Sequence, residues 1–139
     1  MVFGGLMYLL DLFLPVGEFE FFGRTWLALF LLGLGILTIL ISLIQFRAAG
    51  TSTNPIDLEK TVSLVNGGIY KYSRNPMYLG MLLLLLSFGL HLGNAFNTLL
   101  AALFVSYMNR FQIKGEEKRL SQVFGKEYSK YLKETRRWF

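Results

Sequence analysis

Twenty-two consecutive residues, Thr25 to Phe46, carry no charge. As a helix that run is about 33 Å long, enough to cross the roughly 30 Å hydrocarbon core of a bilayer. The rest of the chain agrees with a lipid solvent. Apolar residues make up 53% of its 139 and charged ones 17%, too few for the polar surface of a soluble domain this size. That length suits one domain.

A shorter apolar run, Val2 to Val16, precedes this span; Asp11 interrupts it and Pro15 ends it. The acidic connection Gly17 to Gly23 joins the two. No basic segment leads the first run and no small-x-small site follows it, so a cleavable signal peptide is not expected. Gly33 and Gly35 inside the long run allow a neighbouring helix to approach closely.

After Phe46 the chain turns polar as far as Asn75, long for a connection, and such loops are usually functional or disordered. Tyr70 and Tyr72, with Val62, Leu64, Val65 and Ile69, argue for order. Met77 to Met108 is then apolar, about 48 Å as one helix and too long for one span. His91, Gly93 and Asn94 near its middle supply a break, which predicts a hairpin of two short helices over 77–92 and 95–111.

Charge supports the hairpin. The loop 47–76 carries Arg47, Lys60, Lys71 and Arg74 against Asp57 and Glu59, and residues 109–139 carry nine basic residues against four acidic ones. Both segments belong on the cytoplasmic side, which requires an even number of spans between them. The expected fold is an all-α integral membrane protein of about four transmembrane helices, the last two a short hairpin, plus a cytoplasmic amphipathic C-terminal helix. Its parts are two N-terminal spans (1–46), a cytoplasmic cofactor loop (47–76), the hairpin (77–111) and a cytoplasmic C-terminal segment (112–139). Both termini are expected in the cytoplasm, and a bacterial chain would sit in the inner (cell) membrane. In the tail Leu120, Phe124, Tyr128, Tyr131 and Leu132 recur at helical spacing, and Trp138 and Phe139 resemble interfacial anchors. The formal charge of +5 is accounted for by this topology and by anionic headgroups, so nucleic acid is not an expected partner. With no cysteine and one histidine, a disulfide, a thiolate or zinc site and a cysteine nucleophile are excluded.

Three polar features interrupt the apolar background. Pro76 fits the first turn of the third helix, which places Arg74 and Asn75 at its positive end. There they either cap the helix beside an interfacial arginine or receive an anionic group such as a carboxylate. Gly80 would leave a gap beside Tyr78 for a flat ligand. Glu116 and Glu117, adjacent carboxylates that repel, are either solvated surface or a seat for a cationic group. Arg110, seven residues before Glu117, lies on roughly the same helical face; it either snorkels to the interface, pairs with Glu117 or meets a substrate anion. Asp11 and His91 read as structural.

Gly68, Tyr70, Arg74, Asn75, Pro76, Tyr78 and Gly80, followed after an apolar hairpin by Glu116, Glu117, Leu120, Phe124, Gly125, Tyr128 and Tyr131, form one spaced pattern. It resembles that of the membrane methyltransferases that include isoprenylcysteine carboxyl methyltransferases and phospholipid N-methyltransferases. Phe46 to Thr51 and Pro55 are similar to small bacterial members, and the likeness covers about residues 25–139. The resemblance implies S-adenosylmethionine as cofactor, with Tyr70, Arg74, Asn75, Pro76, Tyr78 and Gly80 on one side and Glu116 and Glu117 on the other. It implies methyl transfer to a lipophilic, membrane-embedded acceptor, either an isoprenylcysteine-type carboxylate or an amine phospholipid, with no metal. Many carboxyl methyltransferases of the group carry histidine where this chain has Asn75, and asparagine is no general base. A carboxylate acceptor needs none; an amine must first be deprotonated. Arg110 and Asn75 are the candidate catalytic residues. The alternatives are an NADPH-dependent membrane reductase of the sterol and isoprenoid type, whose 2′-phosphate the basic tail would bind, and a non-catalytic membrane protein with a relic motif.

Overall fold

The computed structural model describes residues 1–14, 19–50 and 63–139, and within them every regular element is helical. Much of the expected cofactor loop, with Thr51, Pro55 and Val62, lies outside the described residues, as does part of the first connection. Helix α1 (Val2–Phe13) has 12 residues, about 18 Å and shorter than a bilayer core. It stops before the expected Val16 because Leu14, the residue ahead of Pro15, leaves helical geometry at φ −130° and ψ 71°.

Helix α2 (Arg24–Ala48) has 25 residues and, among the described residues, is the one helix long and apolar enough to cross a membrane. It is built inside out relative to a soluble helix. Its buried residues are Ala28, Gly35, Thr38 and Ser42, whereas Leu29, Phe30, Leu37, Leu40 and Ile44 point outward. Lipid makes that arrangement expected, because helices in hydrocarbon gain nothing by hiding apolar chains and pack instead on small residues. Thr38 and Ser42 donate to carbonyls of their own helix, at Leu34 and Thr38.

Helix α3 (Pro76–Leu92) follows the same rule, burying Pro76, Gly80, Ser87 and Gly89 against its neighbours. Its pairing with α2 is the most extensive among the described residues. A Cβ on Gly80 would lie 2.9 Å from the Gly35 carbonyl oxygen and 2.5 Å from Ile39 Cγ1, and Ser87 donates to the Ala28 carbonyl at 2.7 Å. Gly80 therefore faces α2, and Ile39 fills the gap expected beside Tyr78. Gly80→Val must force the pair apart, at a cost of about 1–3 kcal/mol. Thermal unfolding in detergent should show a midpoint several degrees lower, with Gly33→Ala, where a Cβ meets nothing within 4 Å, as the unaffected control. An unchanged midpoint for Gly80→Val would mean that the two helices do not touch there.

Gly93 ends α3 in the left-handed region at φ 78°, where a side chain would also strike the Arg24 guanidinium. The turn is held by Asn94, which donates to the Leu14 carbonyl at 2.9 Å and accepts the Phe96 N–H at 3.0 Å. Helix α4 (Asn97–Tyr107) then returns, with Phe3 of α1 edge-on to Phe104 at 5.5 Å. It does not stop at residue 111. It widens into a π-helical segment, Met108–Ile113, and continues as α5 (Lys114–Phe124). The break expected between hairpin and tail falls instead at Gly125 (φ 52°), after which α6 (Lys126–Glu134) buries Tyr128 and Tyr131.

Candidate functional site

Residues just before α3 are shaped by glycine and tyrosine. Gly68 opens a 3-10 turn, Gly68–Lys71, at φ +56° with the Gln45 side chain where its Cβ would be, and Gln45 Oε1 accepts the Ile69 N–H at 3.1 Å. Only glycine meets both conditions. The buried Tyr70 joins three elements. Its hydroxyl lies 3.5 Å from the Ser42 carbonyl on α2, and its own carbonyl accepts the Tyr131 hydroxyl of α6 at 2.6 Å. Burial pushes the Tyr70 phenol up to about 12, outweighing the opposing effect of Ser42, and raises that of Tyr131 as well.

Ser73 Oγ accepts the Asn75 N–H at 3.2 Å, and Pro76 then starts α3 where its missing N–H costs nothing. This turn aims Arg74 at the start of α5, where its Nη1 lies 3.1 Å from Glu117 Oε1. Arg137 grips the same carboxylate as a fork, Nε to Oε1 at 3.0 Å and Nη2 to Oε2 at 2.7 Å. The Arg74 and Glu117 side chains are only 12% and 17% exposed, so the pairing works in partly desolvated surroundings. Glu116 is held differently. Its Oε1 accepts the Tyr78 hydroxyl at 2.6 Å and Gln112 Nε2 at 2.8 Å, and among the described residues no cation pairs with it.

Tyr70, Arg74, Asn75, Pro76, Tyr78, Glu116 and Glu117 thus gather where α3 and α5 begin. Gly80 sits apart, on the face of α3 that meets α2. Asn75 spends its side-chain amide N–H on the Arg137 carbonyl at 2.9 Å, so it acts as a tie. Arg110 is exposed and lies over the Phe111 ring at 5.7 Å from its centre, while Glu117 is held by Arg74 and Arg137. The seven-residue spacing placed Arg110 and Glu117 on one face only for a regular α-helix. Arg110 lies inside the π segment, which breaks that register, and among the described residues no ion pair joins it to Glu117.

Two partners escaped the sequence reading. Gln112 stands four residues before Glu116, a spacing at which helical side chains meet, so that signal was available. Arg137 lies beyond the end of α6 and pairs twenty residues back along the chain, which no local periodicity encodes.

The two oppositely charged sides each keep an unused atom. Among the described residues, the buried Arg74 Nε has no hydrogen-bond partner and Glu116 Oε2 receives no hydrogen bond. An orphaned donor at the start of α3, and a carboxylate without a countercharge at the start of α5, suit a ligand bearing both a carboxylate and an ammonium group.

The sequence model of the phospholipid methyltransferase family matches residues 23–127, which include the turn before α3, the hairpin and both glutamates. An uncharacterized protein of Haemophilus influenzae is 45% identical over 62 residues, covering 45% of this chain and 98% of that protein. A protein-S-isoprenylcysteine O-methyltransferase of Schizosaccharomyces pombe is 38% identical over 72 residues, covering 52% of this chain and 30% of that enzyme. No solved structure matches the chain.

Proposed function

Because the chain belongs to the phospholipid methyltransferase family, we propose that it moves a methyl group from S-adenosylmethionine to a lipophilic acceptor held in the membrane. The observation that carries this reading is that one cluster holds both an orphaned Arg74 Nε and a Glu116 carboxylate without a countercharge, the two needs of the amino-acid end of that cofactor. The cofactor supplies a methyl group on a positively charged sulfur. The protein binds, orients and excludes water. Arg74, at the positive end of α3, receives the ligand carboxylate, and Glu116, its Oε1 steadied by Tyr78 and Gln112, receives the ammonium. Tyr70 and Pro76 form the rigid floor of the turn.

The acceptor is an isoprenylcysteine-type carboxylate or the amine of a phospholipid, reached from the lipid-facing side of α3 and α4. The Schizosaccharomyces pombe relative, a protein-S-isoprenylcysteine O-methyltransferase, favours the carboxylate, which needs no base. Arg110, exposed at the edge of the hairpin, offers its guanidinium to an anionic group of the acceptor. Detergent-purified protein given labelled S-adenosylmethionine should label a farnesylated cysteine analogue in preference to phosphatidylethanolamine. Label in the phospholipid alone would assign the amine acceptor, and label in neither would count against the reading.

The reading includes four spans with both termini in the cytoplasm of the cell that makes the protein. The chain has no cysteine, so single cysteines report cleanly. Ala95→Cys, at the exposed turn of the hairpin, and Ser121→Cys, on the exposed face of α5, should label from opposite sides of the membrane. Labelling from the same side would overturn the topology.

A further inference from the structure

Beyond α6 the last five residues run back over the site. Thr135 leaves the helix in extended conformation and its hydroxyl donates to the Lys71 carbonyl at 3.3 Å. The Arg136 carbonyl accepts the Arg74 N–H at 2.9 Å, and the Arg137 carbonyl accepts the Asn75 side chain at 2.9 Å and the Ser73 hydroxyl at 3.5 Å. Trp138 donates its indole N–H to Asn109 Oδ1 at 3.1 Å and packs on the cluster of Phe104, Met108 and Ile113. This short segment therefore fastens the turn before α3 to the π segment and to α5. It lies outside the residues matched by the family, which end at 127.

At its centre the Arg137 fork occupies both oxygens of Glu117, and Arg74 shares one of them. A carboxylate that already faces two guanidinium groups has its charge more than balanced and keeps little attraction for a ligand ammonium. Glu116 has both the free oxygen and the unbalanced charge. The double glutamate thus divides into one structural and one ligand-facing member.

We propose that Arg137 is a positioning residue of the cofactor site. By forking onto Glu117 it fixes the carboxylate that holds Arg74, keeps the Arg74 guanidinium turned toward the ligand, and leaves Glu116 free for the ligand's ammonium. The inference rests on the methyltransferase reading for the identity of the ligand but not for the strap itself. Arginine is required because a lysine ammonium pairs as a point charge and cannot satisfy two oxygens in one plane.

The test compares full-length wild type, Arg137→Gln, Arg137→Lys, Glu117→Gln and the double variant Arg137→Gln, Glu117→Gln. Titration with S-adenosylhomocysteine should show about tenfold weaker binding for Arg137→Gln. Arg137→Lys should recover part of the loss, and the double variant should bind no worse than the weaker single variant. In the ligand-free proteins, hydrogen exchange at the Arg74 amide, which the strap covers, should speed up in Arg137→Gln and less so in Arg137→Lys. Wild-type affinity in Arg137→Gln, or losses that simply add in the double variant, would overturn the proposal. If wild type binds no S-adenosylhomocysteine, the methyltransferase reading fails separately and the exchange decides the strap. Faster exchange in Arg137→Gln then supports it, and unchanged exchange overturns it.

Discussion

Glu117→Ala should lower stability by about 2–4 kcal/mol, read as a drop in the unfolding midpoint in detergent. The size follows from what the alanine leaves behind. Arg74, 12% exposed, and Arg137, 32% exposed, would face each other with nothing between them. Removing one partner of a buried ion pair costs about 3–5 kcal/mol, and the part-exposure of Arg137 reduces that. Glu117→Gln keeps one oxygen for hydrogen bonding and should fall less. If Glu117→Ala unfolds at the wild-type midpoint, Glu117 is not what joins α3, α5 and the C-terminal strap.

Glu116→Gln should behave in the opposite way. The amide has the size of the carboxylate and keeps an oxygen for the Tyr78 hydroxyl, so the unfolding midpoint should stay where it is. What disappears is the negative charge, and with it the seat of a ligand ammonium. Affinity for S-adenosylhomocysteine should fall about thirtyfold, near 2 kcal/mol. Adjacent residues would then separate cleanly, one governing stability and the other affinity. Wild-type affinity in Glu116→Gln would remove Glu116 from the cofactor site.

Much of the membrane-facing design was visible in the residues. The uncharged stretch from Thr25 to Phe46 lies within α2, and His91, Gly93 and Asn94 mark the end of α3 and the turn after it. Gly35 does let a helix approach, whereas Gly33, expected to do the same, has nothing within 4 Å of where its Cβ would be. The gathering of Arg74, Tyr78, Glu116 and Glu117 was legible through the spacing of the motif and the family it resembles, not through periodicity.

What escaped depended on register and on long-range pairing. The π segment is not announced by any glycine or proline between Asn97 and Ile113, so a regular helix is the natural expectation from the residues, and the seven-residue register from Arg110 to Glu117 does not hold. Gly80 was expected to line the ligand and instead packs on α2; a glycine near a motif has two uses, and only contacts separate them. The tail reads as one amphipathic helix, but Gly125, at φ 52° and ψ −115°, divides it into two. Arg137, beyond the end of α6, carries no local signal because its partner Glu117 lies twenty residues back on α5.

The measurement that tests the central claim most directly is calorimetric titration of the folded, detergent-purified protein with S-adenosylhomocysteine, beside the same titration with NADPH. The account predicts saturable one-to-one binding of S-adenosylhomocysteine and no heat from NADPH. A folded wild-type protein that takes up NADPH, or neither ligand, would contradict it.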